Sequence, residues 1–363
     1  MTHKVFNLST GADTGGAAIR SVEAFRSQAG FLSGWSVRSM VASSNYIDYA
    51  PDVPYSMDRL RQLYKEAEVI HLNHTLHGHS WYDDGQGKPV VLEHHGLHKG
   101  AFDIDFEAAI KAACDLGALQ IGSTANLELF AESGVIRWAP IPYDLAWLQA
   151  IRGRAQTSLS GRGHGARYQD PSVLTIAHAP TNRAIKSTEA FIAAIASLKA
   201  KGLPIEGLLI ERKSNLECLS LKAKADIFVD QLVLGYGCNA IEAWGMGLPV
   251  VGGISDPTWR VHMQARWGGM PLYEATEANL VDRLEALVLS SDLREEFIER
   301  GQTHFLRHHT QRAHVKLMAD IYEEASQHPT KIGTSMKGMS HAQRLVLLRA
   351  NRKARQEKLS SRQ

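Results

Sequence analysis

The chain has 363 residues, with 40 Lys and Arg against 38 Asp and Glu, and is 44% hydrophobic and 21% charged. That length suits two domains of roughly 100–200 residues each, and the composition excludes disordered and fibrous classes for most of it. No run of ~18 apolar residues offers a membrane-spanning helix, and MTHKVFNLSTG lacks the apolar core of a signal peptide. Cys114, Cys218 and Cys238 are too scattered, and odd in number, for a disulfide framework. A two-domain cytoplasmic protein is the expectation.

Short apolar runs alternate with helix-length segments along the chain. In the first half, Lys4–Leu8, Val37–Val41, Val69–Leu72, Val90–Glu93, Leu119–Ser123 and Ile136–Ala139 read as strands. They lack strict polar alternation, as strands of a parallel sheet buried on both faces do. Ala17–Gln28, Met57–Ala67 and Phe106–Leu116 read as helices between them. Arg152–Asp170, rich in Gly, Ser and Arg, reads as a linker or surface loop. The scheme then repeats with strands at Val173–Ala177, Leu208–Ile210, Ile227–Val229 and Pro249–Gly252. Helices are expected over Ser187–Lys201, Ala240–Met246, Ala278–Ser290, Leu293–Gly301 and Arg312–Gln327, the last ended by His328-Pro329. The fold class is therefore α/β, with two Rossmann-like doubly wound domains facing across a cleft. Their bounds are 1–152 and 171–310, with a linker over 153–170, a further helix over 311–328 and a tail over 329–363.

Charge is uneven. Residues 331–363 carry nine Lys and Arg against the single acid Glu357, a net +8 that leaves −6 for residues 1–330. A basic arm of this kind suits a polyanion, and a solvated helix is the plain alternative. Arg349, Arg352 and Lys353 fall on one helical face, at offsets of three and four.

Three motifs point to one ligand class. Ser9-Thr10-Gly11-Ala12-Asp13-Thr14-Gly15-Gly16-Ala17-Ala18 follows the first strand, and glycines at a strand-to-helix turn let an anion approach free N–H groups. His178-Ala179-Pro180-Thr181-Asn182-Arg183-Ala184-Ile185-Lys186-Ser187 follows the first strand of the second half. There Arg183 and Lys186 suit a diphosphate, the first as a fork and the second as a point charge. Last comes a strand, the turn Gly235-Tyr236-Gly237-Cys238, a short helix carrying Glu242, and Gly247-Leu248-Pro249 entering another strand. A carboxylate in that apolar helix needs partners; ribose hydroxyls are the expectation, and a structural ion pair is the alternative.

This last block resembles the nucleotide-binding half of retaining glycosyltransferases with the GT-B fold, the glycogen-synthase-like and sucrose-synthase-like group. The resemblance takes in Gly15-Gly16, His95 in Val90-Val91-Leu92-Glu93-His94-His95-Gly96, Pro140-Ile141-Pro142-Tyr143-Asp144, and Arg183 with Lys186. It covers about residues 4–327 and implies a final helix that crosses back to the first domain. It implies that Arg183 and Lys186 bind the donor diphosphate and stabilise it as it leaves. Glu242 would hold the ribose, the amides around Gly237 and Cys238 would approach phosphate or sugar, and His95 would contact the donor sugar. Gly15 and Gly16 would close on the phosphate. The group's paired glutamates stand eight positions apart, but eight before Glu242 is Leu234, while Tyr236 and Gly237 are kept.

The expected activity is retaining, metal-independent transfer from a nucleotide sugar, a UDP-sugar, to a hydroxyl, with no resident cofactor. Negative charge builds on the leaving diphosphate, and fixed cations and N–H groups stabilise it. Asp103-Ile104-Asp105 has the letters of a metal motif but stands before a helix. The cluster His71, His74, His77 and His79 matches no metal-ligand spacing. For the acceptor, the basic tail together with Trp81 and Tyr82 points to a polyanion such as DNA carrying a hydroxymethylpyrimidine. A cell-surface glycan or lipid-linked acceptor is the alternative. An NDP-sugar epimerase and a non-catalytic nucleic-acid-binding protein are the rival classes.

Overall fold

The computed structural model describes residues 3–13, 16–28, 34–44, 57–73, 87–95, 106–130, 136–160 and 173–329. The first unit is one parallel sheet of β1 (His3–Asp13), β2 (Trp35–Ser44), β3 (Val69–Asn73), β4 (Val90–His94), β5 (Leu119–Gly122) and β6 (Ile136–Trp138). Its order is β2-β1-β3-β4-β5-β6. β3 and β4 are buried at every position, which is why their sequences run apolar without alternation. Helices α1 (Ala17–Gln28), α2 (Met57–Glu66) and α3 (Phe106–Leu116) link the strands.

The second unit orders β7 (Leu174–His178), β8 (Ile205–Leu209), β9 (Ile227–Val229), β10 (Leu234–Gly235) and β11 (Val250–Ile254) as β10-β11-β9-β7-β8. β10 is antiparallel to β11, and a two-residue β12 (Tyr273–Glu274) also pairs with β11. With α4 (Leu145–Ser160) taken first, the helices that follow are α5 (Thr188–Ala200), α6 (Asn215–Lys222), α7 (Cys238–Gly245), α8 (Pro257–Trp267), α9 (Leu280–Leu289), α10 (Ser291–His308) and α11 (Gln311–Ser326).

Several segments differ from expectation. β1 runs on to Asp13, so Ser9–Asp13 of the first glycine motif is strand and not turn, and β8 spans Ile205–Leu209 where Leu208–Ile210 was expected. Residues 152–160 are not linker, because they continue α4. Leu148, Ile151 and Ala155 lie at helical spacing and bury in the same cluster as Ala177, Phe228 and Trp244. The Arg152 guanidinium caps the carbonyls of Ala223 and Ala225. So α4 packs with the second unit, ahead of the boundary expected at 152. The helix expected from Ala240 begins instead at Cys238, directly after the glycine turn.

Two chain segments pass between the units. One is Pro140–Asp144, leading into α4; the other is His309–Thr310, leading into α11. They pair with each other through a parallel bridge at Tyr143 and Thr310, where the Tyr143 N–H donates to the His309 carbonyl at 2.8 Å. α11 then packs on the first unit, with Val315, Met318, Ile321 and Tyr322 beside Val22, Phe25 and Trp35.

Candidate donor site in the cleft

The cleft lies where the carboxyl ends of both sheets face each other, the usual ligand position in open α/β folds. An ion pair between α1 and α7 joins its two walls. Arg20, one turn into α1, donates from Nη2 to Oε1 of Glu242 on α7 at 3.2 Å, and its guanidinium carbon stands 3.5 Å from the Tyr143 ring centroid. Arg20 is four residues past Gly16, and Glu242 four past Cys238. The two helix starts are thereby brought to the same place, each with its positive dipole end forward. Gly16 holds φ 66°, a left-handed conformation suited to glycine, and its carbonyl opens α1 by accepting the Arg20 N–H.

Lys186 faces the start of α7. Its ammonium donates to Asp230 Oδ1 at 2.6 Å, and Asp230 Oδ2 accepts the Gly237 N–H at 2.7 Å. The Lys186 side chain is 12% exposed and that of Asp230 only 1%. Gly237 caps α7 without a side chain, and a Cβ there would stand 3.3 Å from Lys186 Nζ. Asp230 sits at the carboxyl end of β9, so it fixes both the cation and the turn. The Cys238 thiol is pushed up by burial, against the pull of Arg20 and Lys186, and stays protonated.

Glu242 fills the ion-pair alternative that the sequence left open beside the ribose contact. Its side chain is 4% exposed; Oε1 takes Arg20, and Oε2 accepts from the fully buried Lys222 at 2.5 Å. Each oxygen accepts from one cation within the protein. Lys222 also donates to the side chain and carbonyl of Asn239. Arg183 is likewise parted from Lys186. Its fork is bidentate to Glu211 at 2.8 and 3.0 Å and reaches Glu189 at 2.8 Å, on a half-exposed face. The Glu211 hydrogen bond raises the guanidinium further above its ordinary value.

On the opposite wall, His95 follows the end of β4. Asn73 Nδ2 donates to Asn7 Oδ1 at 2.6 Å, so Asn73 Oδ1 accepts from His95 Nε2 at 2.9 Å. The other His95 nitrogen lies 3.7 Å from the buried Glu93. Burial pushes Glu93 up, but His95, His71 and His314 outweigh it and hold the carboxylate at about 2. His71 belongs to this buried group, with Nδ1 2.9 Å from the Tyr322 hydroxyl and Nε2 3.0 Å from Glu93. Tyr236 lies beside the site, but its hydroxyl is held between His304 and His309.

Arg20, Lys222, Asp230, Asn73 and Glu93 were not singled out from the sequence. Arg20 and Lys222 each left a signal, a lone cation on an apolar helix face; Asp230 left another, a carboxylate ending a buried strand. Gly15, Trp81, Tyr82, Arg349, Arg352 and Lys353 lie outside the described residues, as do His74, His77, His79 and the Asp103–Asp105 triplet. No described helix is long and apolar enough to cross a membrane.

No protein-family model and no curated protein matches the chain. Among solved structures it is similar to sucrose-phosphate synthase from Thermosynechococcus elongatus, with 13% identity, 89% of this chain and 99% of that one covered, and a TM-score of 0.59. It is similar to Anabaena HepE in complex with UDP, with 12% identity, 88% and 100% covered, and a TM-score of 0.59. A third is an alpha-glucosyltransferase in complex with UDP and a 13-mer DNA, with 12% identity, 89% and 100% covered, and a TM-score of 0.55. The fold is that of GT-B glycosyltransferases.

Proposed function

We propose that this GT-B chain is a glycosyltransferase that moves a sugar from a nucleotide sugar, a UDP-sugar, to a hydroxyl acceptor. Fold alone does not carry an activity. The observation that carries it is the meeting of two helix starts with Lys186 in one cleft, Gly16 from one unit and Gly237–Cys238 from the other. A diphosphate leaving group needs that concentration of N–H groups and positive charge.

In this reading Lys186, steadied by Asp230, stabilises the diphosphate as the sugar–oxygen bond breaks, and closure of the cleft excludes water. The amides at Gly16 and Cys238 face the phosphates, Gly237 lets them approach without a side chain while its own N–H stays with Asp230, and His95 faces the donor sugar. Charge neutralisation comes from the protein's own groups, so transfer is metal-independent and needs no resident cofactor. With no carboxylate assigned as nucleophile, retention follows the pattern of the family the sequence resembles. The basic tail supports a polyanionic acceptor, and DNA carrying a hydroxymethylpyrimidine is the proposed one. One similar structure holds both UDP and DNA.

One experiment tests donor and acceptor together. UDP-sugars are incubated with the full chain, with and without hydroxymethylated DNA, and products are read by mass. Sugar added to DNA is the expected outcome. Donor hydrolysis without transfer would keep the donor and remove the DNA acceptor; an epimerised sugar formed without acceptor would replace the reading.

A further inference from the structure

Tyr236 stands one residue before the cap of α7, yet its side chain turns away from the cleft. Its ring packs against Trp244 and Trp267, with centroids 4.8 Å away in each case, and edge-on against His304 and His309. The ring is partly buried, and these four neighbours hold it against the core of the second unit. Its hydroxyl lies 2.9 Å from His304 Nε2 and 3.0 Å from His309 Nε2.

His309 belongs to the second segment that passes between the units. Its Nδ1 lies 2.8 Å from the carbonyl of Ile141, in the first such segment, and its own carbonyl accepts the Tyr143 N–H. Five residues on, His314 Nδ1 lies 3.0 Å from the Pro140 carbonyl. Two imidazoles therefore tie the crossing segments together, and one of them also holds the turn at the donor site.

Hydrogen-bond chemistry sets the direction of the chain. A carbonyl only accepts, so His309 Nδ1 carries the proton toward Ile141. Burial pushes His309 down to about 3, so the ring is neutral near pH 7 and Nε2 is a lone pair. That lone pair takes the Tyr236 O–H. The Tyr236 oxygen then accepts from His304 Nε2–H, and His304 Nδ1 is left as a buried lone pair with no hydrogen-bond partner. Every member has one allowed role.

We infer that Tyr236 and His309 are positioning residues, through which the turn that begins α7 is held in register with the two segments crossing between the units. The link rests on the donor-site reading for its consequence in turnover, but not for its existence. Donor groups bound at Gly237 and Cys238 then meet a turn whose position follows the hinge, and closure presents it to the first unit.

The test uses the full chain with Tyr236→Phe, His309→Asn, His309→Gln and the double variant Tyr236→Phe/His309→Asn. Asn keeps an N–H near the Nδ1 position and removes the acceptor for Tyr236. Gln keeps a polar group near Nε2 and removes the donor to Ile141. Amide hydrogen exchange over residues 234–239 is expected to rise about tenfold in His309→Asn, as for one lost hydrogen bond, and by at least that much in Tyr236→Phe, which loses two. The double variant is expected to exchange no faster than Tyr236→Phe, because that change already removes the bond to His309 together with the one from His304. His309→Gln is expected to speed exchange at the Tyr143 amide instead. With the donor that the wild type turns over, kcat is expected to fall about tenfold while UDP affinity stays within about threefold. Unchanged exchange in Tyr236→Phe, additive effects in the double variant, or a loss confined to UDP affinity overturns the link. Tyr236→Phe removes one oxygen atom and carries the test if the His309 variants do not fold. If the wild type does not bind UDP, the donor reading fails, while the exchange data still decide the link.

Discussion

Lys186 is aimed by its backbone. The Asn182 side chain accepts the N–H groups of Ala184 and Ile185, and its carbonyl accepts that of Lys186, which closes a tight turn before α5. Ser187 completes the turn at φ 53°, a left-handed conformation that disfavours a residue with a Cβ, and its buried Oγ has no partner. Ser187→Gly is expected to raise stability by about 1 kcal/mol, read as a higher denaturant midpoint with an unchanged slope. A lower midpoint would mean that the turn is not strained. Lys186→Ala is expected to slow transfer by ~10²–10³, the usual effect of removing one fixed donor to a leaving oxyanion. Arg183→Ala is expected to leave turnover within about threefold, because Glu211 and Glu189 hold that half-exposed guanidinium away from Lys186. Equal losses in the two variants, in steady-state assays, would return Arg183 to the site.

At the scale of elements, α7 is held by what packs behind it. Trp244 is fully buried against α10, and a Cβ on Gly301 would fall 2.1 Å from its Cδ1 and 2.6 Å from its Nε1. The indole is enclosed by Tyr236 and His304, so it has no room to swing aside. Gly301→Ala would gain ~1 kcal/mol of helix propensity but meet overpacking near ~3 kcal/mol. A net loss of about 2 kcal/mol is expected in chemical unfolding. An equally stable variant would show that α10 can shift along α7. The same packing explains α4. Arg152 and the small polar residues around it read as linker, but the apolar spacing of Leu148, Ile151 and Ala155 met a surface able to bury it.

Among the described residues, several buried or half-buried histidines are held neutral. Burial pushes His309 down to about 3 and His314 to about 4, and His304 further still, with neighbouring charges adding to the effect at His304. The unfolded chain takes up protons near the ordinary histidine value of 6.5, where these folded groups do not. Their contribution to stability is therefore complete above pH ~6.5 and is lost as pH falls toward the folded values, by up to about 1.4 kcal/mol per pH unit for each group. Glu93 acts in the same direction lower down, between 4.5 and about 2. Urea midpoints are expected to be level from pH 8 to 7 and to fall steeply from 6.5 to 4.5. A level midpoint over that lower range would show that these histidines are hydrated in solution. His309 and His314 both brace the crossing segments, so acid is expected to loosen the junction of the units first.

The alternation of apolar runs and helix-length segments was enough by itself to specify two parallel α/β layers, because a strand covered on both faces must be apolar throughout. The glycine turns at Gly16 and Gly237 were legible for a similar local reason: a tight turn between strand and helix constrains the residues that form it. Lys186 was legible as a cation at such a turn. The partners of charges were not. Arg183 and Lys186 stand three residues apart, yet one faces Glu211 and the other Asp230. Glu242 finds Arg20, 222 residues away, and Lys222, 20 residues away. A charged group buried in a low-dielectric interior takes whatever counter-charge the packing brings within reach. That choice, like the joining of Tyr236 to the hinge, depends on distances through space, which only the tertiary structure decided.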